Sequence, residues 1–321
     1  VGSHVPSRVL TNHDLERIVA TTHEWIVTRT GMRERRIAAA HEATSDLAVA
    51  AGRRALEAAG VQPADLDMII VATITPDYPF PNTACLVQRQ LGADRAFCMG
   101  LEAACSGFLY GMETARCYIA AGMAQTALVI GAEKMSAVLD WTDRSTCVLF
   151  GDGAGAAVLR PAPAGRRGII SSVFGSDGTL SELLMIPAGG SRRPATAETV
   201  AAREHCLRMR GREVFRHAVT HMAEAAVAAL HKAGLSIADI RWVIPHQANL
   251  RIIAAIGERL RCPASRFIVN VEKYGNTSAA SIGLALDEAV RDGRIVDGDL
   301  VLMVAFGAGF TWGATVMEWT G

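Results

Sequence analysis

No stretch of this chain is apolar for the ~18 consecutive residues a membrane-spanning helix needs, and its first residues lack the basic segment and apolar core of a secretory leader. The expectation is a soluble, cytoplasmic protein. Neither sign of charge is in excess: Lys and Arg number 32, Asp and Glu also 32, so no global field draws the chain to nucleic acid or to a membrane. An electrostatic partner must be met by a local patch. The seven cysteines are an odd number without CxxC or metal-type spacing, which argues against a disulfide framework or a metal site and for a reducing compartment. Glycine-rich turns occur at 151–155 and 307–313, but neither is a GxGxxG followed by an acidic residue, and no GK[ST] is present. Dinucleotide and nucleoside-triphosphate binding rank low on that ground.

Half of the 321 residues are hydrophobic, enough for one large domain or two fused ones. Helical periodicity alternates with short β-branched runs: helix near 44–59, strand 67–73, helix 82–91, strand 127–133, the order of α/β layers around a mainly parallel sheet. After Cys105, residues Phe108, Met112, Ala115 and Ile119 recur on one helical face, and Gly122 follows as a stop. The loop Arg160-Pro-Ala-Pro-Ala-Gly-Arg-Arg167 divides the chain into halves, 1–162 and 163–321. These halves resemble each other. Ala59-Gly-Val-Gln-Pro-Ala-Asp-Leu66 before Met68–Val71 parallels Ala233-Gly-Leu-Ser-Ile-Ala-Asp-Ile240 before Trp242–Ile244, and Ala127–Gly131 parallels Val301–Ala305. A duplicated α/β unit accounts for this economically.

Three segments share a strand, turn, helix pattern and carry Cys105, His246 and Asn276. A helix N-terminus favours thiolate over thiol and can bring a cysteine pKa of ~8.5 toward neutrality, so Cys105 reads as a nucleophile. Each of the three has a plain alternative: buried core for the cysteine, a loop histidine, an asparagine holding a left-handed turn. Together, at strand ends of a duplicated architecture where sites gather, they are harder to dismiss. The turn Phe306-Gly-Ala-Gly-Phe-Thr-Trp-Gly313 offers backbone N–H groups that approach a ligand closely. Asp152, in Gly151-Asp-Gly-Ala-Gly155, reads as a structural tie beneath the site.

Six motifs, in order, resemble the β-ketoacyl-acyl carrier protein synthase III family of the thiolase superfamily: Glu24-Trp-Ile-Val-Thr-Arg-Thr-Gly31, the Ala-Ala-Cys-Ser-Gly around Cys105, Phe150-Gly-Asp-Gly-Ala-Gly-Ala-Ala157, Pro245-His-Gln-Ala-Asn-Leu-Arg251, Gly275-Asn-Thr-Ser-Ala-Ala-Ser281 and Phe306–Gly313. The likeness implies a thiolase-like fold of two pseudo-equivalent halves, each a five-stranded mixed sheet, layered α-β-α-β-α, in a homodimer. It implies that Cys105 accepts an acyl group from acyl-CoA and that an enolate from malonyl-acyl carrier protein then attacks it. It further implies that the Cys105 and Ala308 N–H groups form the oxyanion hole and that His246 and Asn276 hold the enolate, with no metal or redox cofactor required. Asn276, where elongating synthases carry a second histidine, favours an initiating type.

By the same resemblance CoA meets Trp25, Arg29, Arg144, Gly211 and Asn249, and the acyl pocket is lined by Met135, Phe150, Leu184, Leu207, Met209 and Phe306, with Phe80 from the partner. Arg216 and Arg251, the latter one turn beyond Gln247 on the helix after His246, dock the acidic carrier protein. The chain departs from the family in two places: Gly2-Ser3 reads as a turn without the usual short strand before it, and Ala308 stands where glycine is frequent. Bulk at Phe80 and Met135 suggests a short primer such as acetyl, although chain length is left open. Two other readings remain: a synthase or acyltransferase of secondary metabolism on the same fold, using another acceptor, and a non-catalytic carrier-protein scaffold. The scaffold would keep the arginines without needing the trio.

Overall fold

The computed structural model describes all of residues 1–321. Its two main sheets are built from β1 (Gly2–His4), β2 (Met68–Ala72), β3 (Phe97–Leu101), β4 (Ala127–Lys134), β5 (Asp152–Leu159), β6 (Ile169–Ser176), β7 (Trp242–Pro245), β8 (Leu300–Gly307) and β9 (Thr311–Glu318). Seven longer helices pack on them: α1 (His23–Thr30), α2 (Thr44–Ala59), α3 (Thr83–Leu91), α4 (Gly107–Ala120), α5 (Gly211–Ala233), α6 (Leu250–Leu260) and α7 (Ala280–Arg291). The periodic segments fold as the apolar spacing dictates. Phe108, Met112 and Ala115 of α4 are buried, and Gly122 follows the helix in the left-handed region, where a glycine has no Cβ to clash.

The first sheet runs β1-β5-β4-β2-β3, with β2 parallel to β3 and β4, and β5 antiparallel to β4 and β1. The second runs β7-β8-β9-β6, with β7 parallel to β8, and β9 antiparallel to β8 and β6. At its open edge Phe267 makes a single parallel bridge to Val243. Read from that bridge, the second sheet repeats the pairing directions of the first strand for strand. Helices α4 and α7 lie between the sheets, α2 and α3 cover the outer face of the first, and α5, with α6 beside it, covers the second. That gives the five layers of the thiolase-like fold.

Two sequence expectations need correcting. The second sheet has four strands, because Gln247 takes the bonds a fifth would use: its Nε2 donates to Ile268 O (3.1 Å) and its Oε1 accepts from Asn270 N (2.9 Å) and Val271 N (3.2 Å). Gln247 is therefore a buried strut, and α6 begins three residues later at Leu250, capped by Asn249. Gly2-Ser3 is not a turn that lacks its strand; it is the strand, pairing with Ala156 and Gly155 at the sheet edge. Its glycine serves close approach, since a Cβ on Gly2 would lie 2.2 Å from Ala55 N in α2.

Candidate active site

Past β3 the chain makes one tight turn, Ala104–Ser106, and enters α4, which places Cys105 at a helix start as the sequence pattern predicts. Ala104 sits at φ +45°, a left-handed conformation that costs a residue with a Cβ about 1–3 kcal/mol. Across from it the end of β8 comes so close that a Cβ on Gly307 would lie 2.6 Å from Cys105 N. Only glycine fits there, and Ala308 is thereby set beside the cysteine. Ala308 keeps an ordinary negative φ, the positive φ of +128° falling on Gly309, so alanine is tolerated where glycine is frequent. Neither the Cys105 nor the Ala308 N–H has a backbone partner.

Burial, countered by the Ser278 hydroxyl and the backbone at Cys105 and reinforced by the charge of Glu133, pushes the Cys105 thiol up to about 12. The helix end is where the sequence places it, yet its effect is overridden. The only hydrogen bond of Sγ runs to Ser278 Oγ at 3.5 Å.

His246 follows β7, and its N–H donates to Val304 O at 2.7 Å, extending the parallel pairing with β8 by one residue. Its Nδ1 lies 2.6 Å from Ser281 Oγ in α7, and burial holds the imidazole down at about 3, so it is neutral. Asn276 is pinned on both sides: its N–H donates to Leu149 O (2.8 Å) and its C=O accepts from Gly151 N (3.0 Å). Its side-chain Oδ1 accepts from Ser278 N at 2.8 Å, which leaves the Nδ2 donors for a ligand. The Gly151 segment is tied down in turn by Asp152, whose carboxylate accepts from Ala38 N, Ser136 N and Ser136 Oγ at 2.6–2.8 Å.

The three side chains and Ala308 border one cavity of about 740 Å³. Gly211, Asn249, Met135, Phe150, Leu184, Leu207, Met209 and Phe306 also line it. Asn249 has a structural duty besides, since Oδ1 caps α6 at Arg251 N (2.8 Å) and Nδ2 donates to Arg29 O (3.2 Å). Trp25, Arg29 and Arg144 do not line the cavity but stand together: the Arg29 and Arg144 guanidinium carbons lie 5.0 and 4.8 Å from the Trp25 ring centroid. Arg216 and Arg251 are exposed, and Arg251 rests over the Phe215 ring of the cavity wall at 5.8 Å. Arg203, by contrast, is committed to Asp140. Phe80 is 88% exposed and absent from the cavity of its own chain, although Tyr78 and Pro79 border it.

Sequence reasoning missed Glu133, Ser278, Ser281, Phe215 and Met222. A charged residue inside the apolar run of β4 was the available signal for Glu133, and both serines lie within a motif already singled out.

Comparison with known proteins agrees with this geometry. The family described as "3-Oxoacyl-[acyl-carrier-protein (ACP)] synthase III" matches residues 99–178, and its C-terminal counterpart matches residues 230–319. The chain is 54% identical over 319 residues to β-ketoacyl-[acyl-carrier-protein] synthase III of Desulfitobacterium hafniense, covering 99% of this chain and 96% of that one. It is 56% identical to the protein of that name from Symbiobacterium thermophilum, with the same coverage. Among solved structures, the 3-oxoacyl-[acyl-carrier-protein] synthase III of Aquifex aeolicus superposes with a TM-score of 0.92 at 47% identity, covering 99% of this chain and 98% of that one. The priming β-ketosynthase of the R1128 polyketide pathway superposes at 0.91 with 40% identity, covering 99% and 94%. On these matches and this fold, the chain belongs to the β-ketoacyl-acyl carrier protein synthase III family, the condensing enzymes that initiate fatty acid synthesis.

Proposed function

We propose that the enzyme carries out a decarboxylative Claisen condensation between an acyl-CoA primer and malonyl-acyl carrier protein through an acyl-Cys105 intermediate. The observation that carries this reading is the convergence of three turns from both halves of the chain, two at strand ends and one after the helical turn Val271–Tyr274, on one apolar cavity. In the first half-reaction Cys105 sulfur attacks the thioester carbonyl, the Cys105 and Ala308 N–H groups hold the oxyanion, and CoA leaves. In the second, malonyl thioester loses CO2 and the resulting enolate attacks the acyl-cysteine. An enolate oxygen needs donors rather than a base, and Asn276 Nδ2 with a neutral His246 supplies them. The Ser281 hydroxyl, 2.6 Å from Nδ1, is placed to donate to it, the arrangement that leaves the imidazole proton on Nε2 for this role. No step calls for a metal or a redox cofactor.

The Trp25 cluster suits the adenine and phosphates of CoA at the cavity mouth, because aromatic stacking and bidentate guanidinium bonding recognise those groups. Arg216 and Arg251 suit an acidic carrier protein. The enzyme acts as a homodimer in the cytoplasm, each subunit lending Phe80 to its partner, and the seam between its halves, 1–162 and 163–321, lies in the loop Arg160–Arg167. Likeness to the polyketide priming enzyme favours one other reading, the same chemistry on a different primer.

The test offers a panel of acyl-CoAs, records intact mass for an adduct on Cys105, then adds malonyl-acyl carrier protein and looks for β-ketoacyl product. Adduct followed by product is expected; no adduct with any donor defeats the reading, and the preferred donor separates the two primers. In the same assay Arg251→Glu should slow the second step and spare the first. Equal loss in both would remove the docking role.

A further inference from the structure

Glu133 is a fully buried carboxylate that no step above uses. It lies near the end of β4 and accepts from Thr73 Oγ1 (3.1 Å), Ile74 N (3.2 Å), Thr75 Oγ1 (2.6 Å) and Ser278 Oγ (2.9 Å). No cation pairs with it, since the neighbouring Lys134 ammonium turns away to the carbonyls of Ala39 and Glu42. Ser278 joins this carboxylate to the nucleophile: its hydroxyl is 3.5 Å from Cys105 Sγ and 2.9 Å from Glu133 Oε1. The serine is held there at φ +48° by its own N–H bond to Asn276 Oδ1, so the backbone is forced into a conformation that sets the hydroxyl between sulfur and carboxylate. A strained residue that bridges a nucleophile and a buried, unpaired carboxylate points to a working contact.

We propose that Ser278 and Glu133 are the route by which Cys105 loses its proton as it attacks the acyl thioester. The inference rests on the reading of Cys105 as the acyl acceptor. The S–H bond breaks while a new O–H bond forms on Ser278, whose original proton passes to Glu133 Oε1; negative charge moves from carboxylate to sulfur, and the sulfur lone pair forms the S–C bond. The expelled CoA thiolate takes a proton from solvent. Glu133 keeps the proton received from Ser278 through the acyl-enzyme stage, and the relay runs in reverse, Glu133 to Ser278 and Ser278 to sulfur, when condensation expels the Cys105 thiolate. One proton is taken up per turnover, which matches the replacement of CO2 loss from a carboxylate by a protonated CoA thiol.

Two electrostatic facts agree with this. Burial holds the Glu133 carboxyl up at about 7, so it can accept and release a proton near neutrality, where a general base works best. Its negative charge also raises the Cys105 thiol, and taking up the proton removes that repulsion just as thiolate character develops. His246 cannot substitute in the resting enzyme, because Sγ makes no hydrogen bond to it and its Nδ1 is engaged by Ser281.

The experiment measures single-turnover acylation of Cys105 by acetyl-CoA, and alkylation of Cys105 by iodoacetamide, from pH 5.5 to 9 by intact mass. Glu133→Gln, Glu133→Asp and Ser278→Ala are compared with the unaltered protein. Unaltered protein should accelerate as pH rises through about 7, the range in which Glu133 ionises. Glu133→Gln should lose that inflection and slow acylation at pH 7.5 by about 10²-fold, the lower range for a lost general base. Ser278→Ala should do the same with Glu133 and its other donors in place, and Glu133→Asp should recover part of the rate. A merely structural charge predicts the opposite sign, since removing a carboxylate that raises the thiol makes it more acidic and faster; an equal or faster Glu133→Gln overturns the relay. If Glu133→Gln fails to fold, Ser278→Ala decides, and an unchanged profile there overturns it. Absence of any Cys105 adduct in unaltered protein would instead sink the acyl-acceptor reading beneath it.

Discussion

At Cys105 two effects oppose each other, and their sizes decide the outcome. A helix terminus contributes about 0.3–1 kcal/mol, up to ~2 when partly buried, which is at most about 1.5 pH units. Removing a charge from water into a buried site shifts a pKa by as much as about 3–5 units. Burial wins, and the thiol stays protonated until it reacts. The same burial acts usefully on His246, where it keeps the imidazole neutral and able to donate without carrying charge. Two consequences are measurable. His246→Ala should still become acylated but decarboxylate malonyl thioester about 10²–10³-fold more slowly, the cost of one lost oxyanion donor; normal decarboxylation would remove the enolate role. The second concerns acid stability. With its pKa lowered from 6.5 to about 3 on folding, the histidine binds protons more readily when unfolded, so its contribution is intact above 6.5 and is lost as pH falls toward 3. Glu133, raised by folding to about 7, pulls the other way between its unfolded value of 4.5 and 7, but it is common to protein and variant. Denaturant unfolding should therefore show His246→Gln losing about 2 kcal/mol less than the unaltered protein between pH 7.5 and 5, at ~1.36 kcal/mol per pH unit below 6.5. Parallel pH slopes would show that the imidazole is not held neutral by burial.

At the level of elements, the site depends on how closely β8 approaches the turn before α4. A methyl group at Gly307 must displace the backbone of Cys105, and overpacking of this kind costs about 1–3 kcal/mol. Gly307→Ala should lower the melting temperature and slow acylation together. Gly178→Ala, at a glycine with open space around it and an ordinary φ, should do neither. Equal behaviour of the two would mean the approach is not tight. This contact also marks the limit of what the amino-acid pattern discloses. Helices such as Thr44–Ala59 and strands such as Ala127–Lys134 are legible because their apolar period follows their burial. Cys105 and His246 are legible because each follows a strand end in the repeated pattern; Asn276 follows the helical turn Val271–Tyr274 instead, because the segment before it pairs only at Phe267. Gly2–His4 was not, because three residues of turn-like composition have no period and their pairing partner is some 150 positions away. Glu133 and Ser278 escaped for a related reason: they lie 145 positions apart and meet only once α7 is laid between the sheets. Gln247 reads as part of the helix after His246, yet its side chain replaces a strand's backbone bonds, a substitution no local pattern announces.

For the molecule as a whole, one sheet edge left over after the chain has folded carries exposed aromatic groups. Strand β3 ends the first sheet with an unpaired side, its Phe97 is 40% exposed, and nearby Phe80 and Tyr78 are 88% and 57% exposed. A bare sheet edge with large exposed apolar groups is an aggregation hazard unless something covers it, and a second copy related by a two-fold axis can pair β3 with itself. Such pairing would join the two first sheets and carry Phe80 toward the other subunit, which accounts for a phenylalanine that its own chain leaves in water beside the cavity mouth. Sedimentation should show a dimer. Phe97→Asp, which puts a buried charge at the centre of that contact, should shift it to monomer and lower its acylation rate. If Phe80 closes the partner's acyl pocket as proposed, Phe80→Ala should remain dimeric through the β3 pairing while accepting longer or branched acyl-CoAs. A monomeric protein, or a Phe80→Ala variant with unchanged acyl preference, would show that each cavity is complete within one chain.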